Sequence, residues 1–199
     1  DCDRQVLQQI LLDCTQAERA EQYACYEGRG GIIERYRGYL IGTTSEQLRR
    51  LNESVACCAT LPPVESWAEG AMLTHPLGRF DISLHEASDT LCPAPKASTP
   101  YSYLADYDQL LAATPQLEIR ACADGSRRVA PLGLKGTKQM TKLLRDAKLL
   151  PSRREATPQL VDSRTGETLW VVGVCRSAEY QVTPQTLRWV EITYTHTLP

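Results

Sequence analysis

Nine of the residues between Ser126 and Arg154 are Lys or Arg, and one is an acid. The cations are Arg127, Arg128, Lys135, Lys138, Lys142, Arg145, Lys148, Arg153 and Arg154; the acid is Asp146. Guanidinium and ammonium groups are donors only, suited to holding oxyanions rather than to moving protons at neutral pH. A phosphate backbone is the counterpart such a run predicts. A solvated helix face is the competing reading, because basic runs are often plain surface.

Other residues with chemical potential lack the neighbours that chemistry requires. Asp106 and Asp108 are spaced as paired carboxylates, with no histidine or nucleophile beside them. Eight cysteines (2, 14, 25, 57, 58, 92, 122 and 175) show no CxxC spacing, and none of His75, His85 and His196 lies near a cysteine pair. A zinc site is not expected. Gly28, Gly30 and Gly31 lack the spacing and the Lys-Ser/Thr of a phosphate-binding P-loop, and read as a helix stop. The sequence therefore offers no catalytic residue, no metal site and no cofactor loop of its own.

The elements that must position the cations follow from periodicity. Thr137 is a plausible N-cap, and Met140, Leu143, Leu144 and Ala147 then recur at i, i+3, i+4 and i+7 as one apolar stripe. Lys138, Lys142 and Arg145 repeat at the same spacing on another face. Pro131, Gly133 and Gly136 form a loop ahead of the helix, and Pro151 is expected to stop it. Arg153 and Arg154 either touch the anion or cap the helix C-terminus, where the dipole favours cations.

At 199 residues the chain is long enough for a real core. Its net charge of −2 hides an uneven division. Residues 1–113 hold 9 Lys or Arg against 16 Asp or Glu, and residues 114–199 hold 13 against 8. A polyanion is expected to meet the back half. Scattered cysteines fit a reducing cytoplasm better than a disulfide framework. No apolar run approaches the roughly 20 residues that span a bilayer. Asp1-Cys2-Asp3 opens the chain without methionine, so a fragment of a longer polypeptide is expected.

The rest of the chain predicts an α+β fold: a helical and β-hairpin front half, residues 1–113, and a small mixed β-sheet domain with one main basic helix, residues 114–199. Val6, Leu7, Ile10 and Leu11 make a helical stripe, and Thr15 with Glu18 predicts a second short helix to about Tyr26. Ile32 to Ile41 reads as a hairpin turning at Arg37-Gly38, where Arg35 and Arg37 are further candidate RNA contacts. Ser45, Leu48 and Leu51 begin a helix, and Gly70–Thr74 and Gly78–His85 pair as strands. Residues 88–100 form a Pro/Ser/Thr-rich loop. Tyr101 to Leu111 reads as a half-buried surface with its hydroxyls outward. Leu117–Ala121 and Arg128–Ala130 are strands flanking the Asp124-Gly125 turn. Gln159–Asp162, Thr168–Val174 and Leu187–Tyr194 complete the sheet. Trp170, Val171 and Val172 are expected in the core, while Trp67 and Trp189 fit core or base stacking equally.

The ordered pieces Gly125–Arg128, Pro131-Leu132-Gly133-Leu134-Lys135-Gly136-Thr137-Lys138, Lys148-Leu149-Leu150-Pro151-Ser152-Arg153-Arg154 and Trp170-Val171-Val172-Gly173 resemble the C-terminal domain of bacterial tRNA(Ile)-lysidine synthetases. Tyr101–Leu104 with Asp106 resembles the segment leading into that domain, and Gly30–Ile41 the family's middle region. Lys138-Gln139 stands where many relatives have two lysines, and Ser126 replaces the usual Asp of the turn. The resemblance implies an ATP-dependent ligase that adenylates the wobble cytidine of the AUA-reading isoleucine tRNA and lets lysine displace AMP. Its ATP and Mg2+ belong to an N-terminal domain whose Ser-Gly-Gly-x-Asp-Ser loop is not in this sequence. The implied role of this chain is to hold tRNA through the nine cations, next to its own catalytic domain, in the cytoplasm, away from membranes and with a homodimer possible. The alternative is a non-catalytic interaction module whose basic face pairs with an acidic partner or domain.

Overall fold

The computed structural model describes residues 4–16, 22–87 and 99–197. The chain divides into two compact units, residues 1–52 and 53–199.

In the first unit, helix α1 (Arg4–Thr15) precedes a three-stranded antiparallel sheet of β1 (Ala24–Gly28), β2 (Gly31–Tyr36) and β3 (Tyr39–Thr44). Tyr36 pairs with Tyr39 across Arg37 and Gly38, whose φ values of 52° and 80° lie in the left-handed region that two-residue hairpin turns favour because it matches the right-handed twist of the strands. The hairpin expected there is present. Residues 24–26 are strand and not the end of a second helix, because Tyr26 pairs with Ile33. Residues 17–21 of that expected helix lie outside the described residues. Ile10 and Asp13 are the buried residues of α1. The Tyr26 hydroxyl donates to Asp13 Oδ2 at 2.9 Å, and Arg35 Nη1 donates to the Asp13 carbonyl at 2.9 Å.

Helix α2 (Ser45–Ala56) begins with a reciprocal cap. The Thr44 amide donates to Gln47 Oε1 and the Gln47 amide to Thr44 Oγ1, which satisfies two amides the helix leaves free.

The second unit packs two sheets face to face. One is four-stranded, in the order β5 (Ala71–His75), β6 (Gly78–Glu86), β14 (Arg188–His196), β7 (Ser102–Asp106). The other is five-stranded, in the order β13 (Cys175–Arg176), β12 (Glu167–Val171), β11 (Pro158–Asp162), β8 (Leu117–Ala121), β4 (Cys58–Thr60). Every pairing is antiparallel, so the α+β class stands with antiparallel rather than mixed sheets. Phe80, Ile82, Tyr103, Ile119, Leu160, Trp170, Val190 and Ile192 fill the space between the sheets. Trp67 and Trp189 are also buried, which excludes them as exposed stacking platforms.

This pairing places the boundary expected at 113/114 inside one unit. β7 hydrogen-bonds to β14, and β4 to β8, so residues before and after that point share one core. Cut at 52/53, the charge asymmetry vanishes. Residues 1–52 hold seven Lys or Arg against eight acids, and residues 53–199 hold fifteen against sixteen.

Tyr101 to Leu111 is also more buried than its tyrosines suggest. All five residues of β7 are buried, and α3 (Tyr107–Ala113) follows directly. Asp106 caps α3 by accepting from the Gln109 amide, and also accepts from the Thr186 hydroxyl at 2.6 Å. Asp108 faces the Arg188 guanidinium. The two carboxylates are thus separately engaged and form no acid/base pair. Most of the 88–100 loop lies outside the described residues.

His75 is a buried polar link of the same kind. Its Nδ1 accepts from the Leu77 amide at 3.2 Å, so the neutral ring carries its proton on Nε2, 3.3 Å from Ser54 Oγ. Ser54 in turn donates to the Ala156 carbonyl at 2.7 Å. The hydroxyl proton is committed to a carbonyl and not to the imidazole, so this contact is a structural tie and not a nucleophile–base pair.

Candidate nucleic-acid interface

The basic segment is fixed to the outer face of the five-stranded sheet. The Asp124 side chain accepts from the Ser126 amide and hydroxyl, closing the turn that starts it. β9 (Arg128–Val129) then pairs with β10 (Lys138–Gln139), and not with β8 as its position after the turn suggests. Between them Leu134 donates to the Pro131 carbonyl across a tight turn with Gly133 at φ 81°. That conformation admits glycine readily and most side chains poorly. The loop is pinned to β13, because the Leu132 amide donates to the Arg176 carbonyl at 2.6 Å.

Helix α4 (Met140–Asp146) starts two residues later than an N-cap at Thr137 predicts, with Gln139 in the N-cap position. Thr137 does not cap it; its hydroxyl accepts from Arg128 Nε at 2.7 Å and its carbonyl from Arg128 Nη2 at 3.1 Å. The apolar stripe is right in register. Met140, Leu143 and Leu144 are buried with Cys122, Val129 and Val171, while Ala147 is exposed at the helix end. Pro151 begins a short helical turn, α5 (Pro151–Arg154), instead of only ending α4.

The nine cations fall into three groups, four tied, one half-buried and four exposed. Four are tied back to the fold. Arg127 Nη1 donates to the Gly166 carbonyl, Arg128 holds Thr137, Lys138 lies 3.6 Å from Asp146, and Arg154 Nε donates to the Leu149 carbonyl at 3.1 Å. Leu149 lies beyond the end of α4 at Asp146, so Arg154 ties down the connection between α4 and α5 and does not cap α4. Burial, and then the nearby Arg120, lower the Arg127 pKa from its ordinary value. Arg153 is half-buried, with its Nε lacking a partner among the described residues.

The other four, Lys135, Lys142, Arg145 and Lys148, are exposed, and their side chains have no partner among the described residues. At about 3.6 residues per turn, Lys142 and Arg145 lie together on the side of α4 opposite its buried stripe. Lys148 sits where the chain leaves the helix. Its amide donates to the Arg145 carbonyl at 3.0 Å and the Leu149 amide to the Leu144 carbonyl at 3.2 Å, a closure that puts Lys148 at φ 62°. Glycine is the residue that takes this position without strain.

Arg35 and Arg37 lie outside this segment. Arg35 is buried against Asp13, which removes it as an RNA contact, and Arg37 rests over the Tyr36 ring. Sequence reasoning passed over Arg120, which alternation on β8 places on the same outer sheet face as the basic segment.

Comparison with known proteins agrees with the region that carries this geometry. Residues 117–193 match the family described as the TilS substrate C-terminal domain. The match covers 77 of the 199 residues. A solved structure, the "Crystal structure of TILS C-terminal domain", is similar with a TM-score of 0.54 at 23% identity, covering 72% of this chain and 98% of that chain. That share is too large for the residues after Gln116 alone, so the common fold takes in strands that precede the matched family region. An N-terminal fragment of the phenylalanyl-tRNA synthetase β-subunit from Pyrococcus horikoshii aligns with a TM-score of 0.35 at 24% identity, over 46% of this chain and 27% of that chain. No curated protein matches the chain. No helix among the described residues is long and apolar enough to cross a membrane.

Proposed function

We propose that this chain is the tRNA-holding part of a tRNA(Ile)-lysidine synthetase. The supporting observation is a coincidence within one segment. The segment that matches the TilS substrate C-terminal domain family contains a helix docked by Met140, Leu143 and Leu144 whose outward cations have no partner among the described residues. A surface built that way leaves its charge for an external anion. RNA supplies phosphates on a regular helix whose deep, narrow groove side chains do not enter. Contacts to those phosphates position the ligand and carry little base information.

In this reading the substrate is the AUA-reading isoleucine tRNA, in the cytoplasm. Adenylation of the wobble cytidine and its attack by lysine belong to an ATP- and Mg2+-dependent domain of the parent enzyme. Lys135, Lys142, Arg145 and Lys148 are the primary contacts. Arg127, Arg128, Lys138, Arg153 and Arg154 shape the surface and add to its field.

The test is filter binding of this tRNA to the chain carrying Lys142→Glu together with Arg145→Glu. Affinity is expected to fall about 100-fold at low salt, since two phosphate contacts become repulsions. The thermal midpoint is expected to stay close to the parent value, because both side chains are exposed. Unchanged tRNA affinity would refute the assignment.

A further inference from the structure

An aromatic side chain stands open beside the support of the basic helix. Of the three tyrosines between residues 101 and 107, Tyr103 and Tyr107 are buried, and their hydroxyls donate to the Glu179 and Val64 carbonyls. Tyr101 is 53% exposed, and its side chain has no hydrogen-bond partner among the described residues.

The backbone that carries Tyr101 is nonetheless held from both sheets. The Tyr101 carbonyl accepts from the Tyr194 amide of β14 at 2.8 Å. The preceding Pro100 carbonyl accepts from the Gly173 amide at 2.9 Å and from Trp170 Nε1 at 3.2 Å. The ring itself lies on Gly173, where a Cβ would come within 3.2 Å of Tyr101 Cε1. The missing side chain gives the ring its seat. Gly173, at φ 73°, also suits the third position of the turn that the Val174 amide closes on the Val171 carbonyl.

That turn shares the foundation of the basic helix. Val171 is buried with Met140, Leu143 and Leu144 of α4. Val174 packs against the same cluster, and so does Leu149, the residue after Lys148. The open ring and the outward cations are thus built on one patch of core. An anchored aromatic ring with an open surface loses little freedom on binding, which suits recognition better than packing. Beside cations that hold phosphate, the matching ligand is a nucleobase outside a helix. Bases inside a duplex cover one another, whereas an unpaired base offers its π-face to an aromatic side chain.

We infer that Tyr101 is a stacking platform for an unpaired nucleobase of the bound RNA, seated on Gly173 next to the support of α4. The inference rests on the RNA reading above. It adds to a phosphate-holding surface a contact that the interior of a duplex does not make.

The experiment measures affinity of the full chain for three RNAs: the isoleucine tRNA, the same tRNA trimmed of its single-stranded 3′ end, and a long, fully paired duplex. Tyr101→Leu keeps an apolar side chain without a π-face. It is expected to bind the intact tRNA about tenfold more weakly, at an unchanged log–log salt slope. Tyr101→Phe loses only the hydroxyl and is expected to bind as the parent does. Both variants should bind the duplex like the parent. A Tyr101→Leu defect that vanishes with the trimmed tRNA puts the stacked base at the 3′ end; a defect that persists puts it in a loop. In Tyr101→Trp the added indole is exposed while Trp67, Trp170 and Trp189 are buried, so tRNA should quench its fluorescence and the duplex should not.

Unchanged tRNA affinity in Tyr101→Leu, alongside weakened binding by Lys142→Glu/Arg145→Glu, would overturn the platform and leave the RNA reading standing. Equal weakening by Tyr101→Leu and Tyr101→Phe would overturn stacking as well. Normal tRNA binding by both Tyr101→Leu and the charge-reversed variant would overturn the RNA reading itself. If Tyr101→Leu does not fold, the fluorescence decides: an added indole that tRNA leaves unquenched, or that the duplex quenches equally, refutes the platform.

Discussion

The charged residues of the first unit and those of the basic segment face opposite situations. In residues 1–52, Asp13, Glu34 and Arg35 are buried, and the fold itself supplies partners: Tyr26 and Arg35 donate to Asp13, and Tyr23 to Glu34. Burial and then the neighbouring carboxylate push both tyrosine hydroxyls up, Tyr23 beside Glu34 and Tyr26 beside Asp13. In the basic segment Lys135, Lys142, Arg145 and Lys148 are exposed and have no partner among the described residues. The same residue types thus do different work. Ions satisfied internally specify a structure; ions left open specify a ligand.

This contrast breaks most visibly on its buried side. Asp13→Ala strands the Tyr26 hydroxyl in the first unit. It should cost about 2 kcal/mol in urea unfolding, as leaving a buried donor without its acceptor does. The same change should leave tRNA affinity as it was. A loss of tRNA binding by folded Asp13→Ala would erase the distinction.

His75 sharpens the buried side through pH. Burial, with His196 nearby, lowers its pKa to about 4. The unfolded chain takes up the proton near the ordinary histidine value of about 6.5. The folded chain takes it up only near pH 4, so the unfolded state binds more protons in between and stability falls as pH drops through that window. Chemical unfolding should show up to about 3 kcal/mol lost between pH 6.5 and 4. His75→Gln should flatten that part of the profile.

Lys148 probes the open side. At φ 62° a glycine removes strain, so Lys148→Gly should raise stability by about 1 kcal/mol. Filter binding should at the same time show several-fold weaker tRNA binding. A side chain kept where glycine is more stable is useful outside the fold, and a variant both more stable and equally tight would deny that.

Much of this was legible from the sequence, and the failures have a common cause. Local pattern identified the hairpin at Arg37-Gly38, the strands at 78–85 and 187–194, and the buried stripe Met140, Leu143 and Leu144. What it missed was pairing over long sequence distances. β7 joins β14 across more than 80 residues, and no periodicity reports that, so local pattern alone puts the boundary at 113/114 and segregates the charge. Ala24–Gly28 gave a weak strand pattern beside a plausible capping box, and local capping signals prevailed over sheet pairing. Within the site, charge count identified the segment but not which cations the fold itself uses. Thr137 had the chemistry of a cap, yet its hydroxyl serves Arg128.

The salt dependence of tRNA binding by the unmodified chain tests the central claim most directly. Four or more cations left for phosphate predict that log K falls linearly with log salt, with a slope of about 3 or steeper. Binding with a slope below about 1, or no binding at low salt, would contradict the account.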